Sequence, residues 1–241
     1  SNIGGSIFYS RFDESNISSL VGRLRANRIE GVLACGPTDA GVIRRLSAEF
    51  YVLLVDTFPP DGVQADALLW DYWNSGHDLA EKAIHRGAKA GLYVDFAWGE
   101  FTPSRQRELR MAGAKSAFEE SGLPFVSEVV LIPLSGASAN LDSFKSAAAS
   151  KRKLALICSD AIMAFPLLLE AARADLASRA VMCAFSERQW PGIGGIPRIF
   201  ASHDLTLLGR EAGRMLTDIL GRPSGQCVSK TIPVPIVEAG Y

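Results

Sequence analysis

Unbroken apolar runs alternate with amphipathic windows along most of this chain. The runs are SIFYS (6–10), GVLACG (31–36), YVLLVD (51–56), AGLYVDF (90–96), VSEVVLIPLS (126–135), LALICSD (154–160) and AVMCAFS (180–186). A strand with one wet face alternates apolar and polar positions. A continuous run implies that both faces are covered, as in a parallel sheet. Helical windows lie between the runs. In DLTLLGREAGRMLTDILG (204–221), Leu205, Leu208, Ala212, Met215, Leu216 and Ile219 form one stripe, with Asp204 placed to cap it and Gly221 to end it. In NSGHDLAEKAIHRG (74–87), Leu79, Ala80, Ala83 and Ile84 face inward and Gly87 closes the helix. Repeated βα units of this kind predict an α/β fold of doubly wound parallel sheets.

One window does not fit a plain surface helix. In SRQRELRMAGAKSAFEESG (104–122), Arg110, Gly113, Ala114 and Ala117 are three and four residues apart and share a face. Small residues mark where a helix packs closely, and here an arginine heads their stripe. A guanidinium in that place either ties elements together or reaches a ligand, to which its planar fork suits paired hydroxyls, a carboxylate or a phosphate. Arg105 and Arg107 read as surface charges.

Composition narrows the classes. Of 241 residues, 48% are apolar and 21% charged, and 25 Lys plus Arg against 26 Asp plus Glu leave a net charge of -1. That suits one large domain or two lobes, without the basic footprint of a nucleic-acid binder. No apolar run reaches the ~18–20 residues of a membrane span. Cys35, Cys158, Cys183 and Cys227 show no CxxC spacing, and the first three lie in strand-like runs. They read as buried thiols of a reducing compartment, and no secretion signal is visible. His77, His85 and His203 have no metal-ligand spacing and read as surface or capping residues, so neither a metal nor a cofactor is expected. The loop PGIGGIP (191–197) fails as a dinucleotide fingerprint because it does not open a helix. No nucleophile with a base, and no carboxylate pair, suggests an enzyme. Ligands of such sheets sit at the carboxyl ends of the strands, which here carry Gly36, Asp56, Phe96, Ser135, Asp160 and Ser186.

Several stretches together resemble the effector-binding domain of LacI/GalR-type transcriptional regulators. DYWNSGHDLAEKAIHRG (71–87) is similar to that family's acidic residue, helix and closing glycine, and RQRELRMAGAKSAFEESG (105–122) to its R-x-x-G helix. SHDLTLLGREAGRMLTDILGRP (202–223) and KTIPVPIVEAG (230–240) resemble its late LG-x-x-A-x-x-x-L helix and closing strand. LVGRLRANRIEGVLACG (20–36) has IEGVL where the family has V-D-G-[IL]-[IL]. Three departures stand out. About two elements that begin the family's domain have no counterpart, AFSER (184–188) replaces its G-[FY]-D-[DN], and its helix-turn-helix is absent.

The resemblance implies two doubly wound parallel-sheet lobes joined by three crossovers, like the type I periplasmic binding proteins, with a ligand between them. Mapped here, the N-terminal lobe is 1–98 plus 197–222 and the C-terminal lobe is 99–196 plus 223–241. It implies a carbohydrate-like small-molecule effector, a cytoplasmic homodimer, no membrane, and DNA binding only through the helix-turn-helix this chain lacks. Arg110 would then lie beside the cleft, and Asp160 would precede a helix that it caps, contacts a ligand from, or both. Asp71 stands in the same double position, and Ser186 replaces the family's usual carboxylate. Trp98 and Phe101 in AWGEF and Trp190 in RQWPG would offer rings on which a sugar stacks. A periplasmic sugar-binding protein of an ABC transporter is the alternative, distinguished by a signal peptide and a monomeric state.

Overall fold

The computed structural model describes residues 16–36, 39–98, 104–132, 142–173, 176, 178–186, 195–221 and 227–239. The strand expected at SIFYS lies outside them. In chain order the elements are α1 (Ile17–Ala26), β1 (Gly31–Cys35), α2 (Ala40–Ser47), β2 (Tyr51–Val55), β3 (Asp66–Trp70), α3 (Tyr72–His85) and β4 (Ala90–Trp98). They continue with α4 (Arg105–Glu120), β5 (Phe125–Ile132), α5 (Asp142–Ala149), β6 (Leu154–Cys158), α6 (Ala161–Arg173) and β7 (Ala180–Ser186). The last are β8 (Arg198–Ser202), α7 (Leu205–Leu220), β9 (Ser229–Ile232) and β10 (Ile236–Ala239).

The chain forms two compact units, Ser1–Leu69 with Thr206–Ile232 and Trp70–Leu205 with Pro233–Tyr241, and passes between them three times. The first carries a four-stranded sheet in the order β1-β2-β3-β9. β1, β2 and β3 are parallel. β2 buries Val52 to Val55 because both of its faces are covered. On α7 the predicted stripe buries Leu208, Ala212, Met215 and Ile219, Leu216 lies against Gly31 of β1, and Leu205 is exposed.

The second unit holds six strands in the order β10-β8-β7-β6-β4-β5. Only β10 runs antiparallel to its neighbour. β6 and β7 are buried along their whole length, as their unbroken apolar runs require. Phe144 of α5 and Ala164, Leu167, Leu168 and Ala171 of α6 join Leu92, Val94, Leu156 and Met182 in one core. Helices α3 and α4 also pack on this sheet. The α3 pattern holds, with Leu79, Ala80 and Ala83 fully buried. Past its end Gly87 takes φ +90°, and Gly87 N–H and Ala88 N–H bond the Ile84 and Ala83 carbonyls, a left-handed stop that favours glycine.

The division between the units differs from the expected one. Breaks were expected after residues 98, 196 and 222, whereas they fall after residues 69, 205 and 232. Strand β4 pairs with β5 on one side and β6 on the other, so it and the preceding α3 belong to the second unit. An unbroken apolar run announces a covered strand but not which sheet takes it. DALLW and RIFAS, not foreseen as strands, are β3 and β8. The thiols divide as well. Cys158 and Cys183 are buried in the second unit, while Cys35 and Cys227 of the first are exposed, although Cys35 was expected to be buried.

Candidate functional site

The small-residue stripe on α4 meets α3 backbone to backbone. A Cβ on Gly113 would stand 2.0 Å from the Trp73 carbonyl oxygen, and one on Gly76 would stand 2.1 Å from that of Arg110. Only glycine permits this approach. Ala114 and Ala117 are buried beside it. The contact fixes the α4 backbone at Arg110, whose half-buried side chain lies at the carboxyl ends of the parallel strands.

Four elements then hold the guanidinium. It stands over the rings of Tyr72 (5.1 Å) from α3 and Phe185 (4.6 Å) from β7. Arg110 Nη1 donates to the Ser159 carbonyl at 3.2 Å, just past β6. Its Nη2 lies 3.4 Å from His203 Nε2, just past β8. An arginine only donates, so Nε2 accepts and the imidazole proton sits on Nδ1. His203 was expected as a surface or capping residue, but it is 6% exposed and makes an edge contact with Trp70 at 5.3 Å. Burial, and then the Arg110 charge, pushes its pKa down from 6.5 to about 3. The imidazole is therefore neutral, which is what an acceptor for arginine must be.

A second charged group adjoins. Asp95 of β4 is 6% exposed, and its Oδ1 accepts from Ser159 Oγ at 2.5 Å and from Arg107 Nη1 at 3.1 Å. Arg107 is thus an ion-pair partner and not the surface charge expected. Its carbonyl also accepts from the Tyr93 hydroxyl at 3.4 Å, and burial raises the Tyr93 pKa above its ordinary range.

The sequence-predicted residues distribute as follows. Ser186 ends β7, is buried, and its carbonyl accepts from the His203 N–H, which brings it to the Arg110 cluster. Asp160, half-buried, follows Ser159 directly and accepts the Ala164 N–H at its carbonyl, where α6 begins. Asp71 caps α3, with its carboxylate accepting from the Asn74 backbone N–H at 3.2 Å and side-chain amide at 2.6 Å. Trp98 ends β4 opposite Ile132, but its side chain, Phe101 and Trp190 lie outside the described residues. Sequence reasoning missed Asp95 and Ser159. Their only signals are an acidic residue inside the apolar run AGLYVDF and the small polar residue ending LALICSD.

Metal-ligating atoms come together in one place among the described residues. His77, Asp78 and Glu81 on α3 have theirs within 4.8 Å of one another. Asp78 and Glu81 are exposed, and the His77 ring stacks on Trp73 and contacts Glu120 at 3.2 Å.

No family model and no curated protein matches this chain. Solved structures do. A LacI transcriptional regulator from Lactobacillus brevis is similar at TM-score 0.68 and 14% identity, over 93% of this chain and 85% of that one. A LacI family regulator from Enterococcus faecium with bound ribose is similar at TM-score 0.67 and 16% identity, over 92% and 82%. A periplasmic binding protein/LacI transcriptional regulator from Alkaliphilus metalliredigens, complexed with D-xylulofuranose, is similar at TM-score 0.63 and 13% identity, over 94% and 82%. These neighbours are regulators and not enzymes. The chain has the α/β fold of LacI-type transcriptional regulators and of the periplasmic-binding-protein-like domains related to them.

Proposed function

We propose that this chain is the effector-sensing domain of a LacI-type transcriptional regulator and binds a small carbohydrate-like molecule at the Arg110 cluster. One observation carries the reading. Arg110 is presented at the carboxyl ends of β6 and β7 by Tyr72, Ser159, Phe185 and His203, a costly arrangement for a residue with only a structural task. The proposed contacts are Arg110, Ser186 and Asp160, with Asp71 contributing beyond its cap. Trp98, Phe101 and Trp190 are proposed as stacking surfaces on the resemblance alone. No catalysis is proposed. In the intact regulator, a cytoplasmic homodimer, occupancy would shift the populations of two conformations and so alter DNA binding through a helix-turn-helix.

A thermal-shift panel of sugars, sugar phosphates, sugar acids and nucleosides tests this, run on the native chain and on Arg110→Ala. A ligand at 100 times its dissociation constant adds about 2.7 kcal/mol, several degrees for a domain of this size. Stabilisation that disappears in the variant supports the reading and names the ligand class. Stabilisation that survives returns Arg110 to a structural role, and a panel without effect on either protein counts against a carbohydrate effector.

A further inference from the structure

We propose that Asp95 is a positioning residue for Arg110 and acts on it through Ser159. This rests on the effector-site reading for its purpose but not for its geometry. Ser159 is the first residue past β6, where the chain turns toward α6. Its backbone N–H bonds the Val94 carbonyl at 3.1 Å and its hydroxyl donates to Asp95 at 2.5 Å. Two consecutive residues of β4 therefore hold the residue just past the neighbouring β6 at two points. The remaining polar atom of Ser159, its carbonyl oxygen, accepts from Arg110 at 3.2 Å. The orientation of that carbonyl sets the direction in which the guanidinium fork points.

Three features of Asp95 suit this task. It is buried, so water competes little for its oxygens. It is charged, so its bond from Ser159 is short and directional. Arg107, one helical turn before Arg110 on α4, binds the same oxygen at 3.1 Å, which compensates the buried charge and ties α4 to β4. The helix is thereby fixed at its backbone by Gly113 and at its side chains by the Asp95 network. Arginine carries much rotamer freedom, and a fork already oriented loses less of it when a ligand arrives.

The test reads Arg110 directly and needs no ligand. The full chain is labelled with ¹⁵N-arginine, and the Arg110 guanidinium signals are assigned by their loss in Arg110→Lys. In the native chain the two Nη groups are expected to be resolved, because hydrogen bonds hinder rotation about the Cζ–Nε bond. In Ser159→Ala, exchange between them accelerates at least tenfold. Ser159→Thr, which keeps a hydroxyl, restores slow exchange, and Asp95→Asn accelerates it by a smaller factor. Unchanged exchange in a folded Ser159→Ala overturns the proposal, as does acceleration that Ser159→Thr fails to reverse. If Asp95→Asn does not fold, the two Ser159 variants decide alone. A chain that binds no sugar yet shows this pattern would refute the effector reading while upholding the positioning.

Discussion

Replacing Gly113 by alanine tests the α3–α4 contact most sharply. The added Cβ would lie 2.0 Å from the Trp73 carbonyl oxygen and 2.9 Å from the His77 nitrogen, both backbone atoms. Ordinary contact begins near 3.4 Å, so the helices must part by about 1.4 Å, and no side-chain rotamer can relieve the clash. Overpacking in a well-packed core costs about 1–3 kcal/mol, and a collision with backbone belongs at or above the upper end. At about 3 kcal/mol, a domain of this size melts roughly 6–12 °C lower. Because Gly76 meets the Arg110 carbonyl on the same seam, the displacement also moves the guanidinium off Tyr72 and Phe185. Urea unfolding followed by circular dichroism measures the loss. An unfolding free energy within about 1 kcal/mol of the native value would mean that the helices do not cross at this distance, and the close-contact account would fail.

Gly213 is the matched control. It is exposed on α7, and a Cβ added there would meet nothing within 4 Å, so Gly213→Ala should stabilise by about 0.5–1 kcal/mol, and destabilisation in the same urea assay would expose an unseen contact. His203 predicts a pH dependence. Between 6.5 and about 3 the unfolded chain binds a proton at this ring that the folded chain does not, so stability falls as pH drops through that window. The group contributes about 1.4 kcal/mol of loss by pH 5.5, which His203→Gln should remove; equal losses in both proteins, compared at pH 7.5 and 5.5, would contradict a neutral buried imidazole. Asp71→Ala removes the α3 cap and should cost about 1 kcal/mol, and a thermal melt unchanged from native would show that the cap contributes nothing. Arg107→Ala leaves the buried Asp95 carboxylate uncompensated and should cost about 3 kcal/mol, whereas a loss below about 1 kcal/mol in urea would show that Asp95 does not depend on that pair.

Much of the layering was legible in the order of residues. The runs at 31–36, 51–56, 90–96, 154–160 and 180–186 coincide with β1, β2, β4, β6 and β7. Of these, β2, β6 and β7 are covered strands that need no polar alternation, whereas β1 leaves Leu33 and Cys35 exposed despite its apolar run. DALLW and RIFAS escaped notice because each opens on a charged side chain, which leaves a short apolar run. The allocation of β4 escaped for another reason, since sheet membership is decided by long-range pairing that leaves no local trace. At the site, Arg110 was legible through the glycine and alanines that follow it at helical spacing. Asp95, Ser159 and His203 come from three separate segments and carry no spacing that joins them. Arg107 looked solvated because helical periodicity does not reveal a carboxylate waiting on a neighbouring strand.

The distribution of cysteines gives the molecule two chemical clocks. Cys35 and Cys227 are exposed in the first unit, so a thiol reagent reaches them in the native state, although partial desolvation of the Cys35 sulfur and then the Asp56 charge raise its pKa and slow its reaction. Cys158 and Cys183 lie in the core of the second unit, where burial holds both thiols protonated. They can be alkylated only when that unit opens. Counting labels by mass over time therefore separates a fast phase reporting the surface of one unit from a slow phase reporting the unfolding of the other. A bound effector that braces the Arg110 cluster would lengthen the second phase, and its strength could be read from that delay without a dye or an engineered residue.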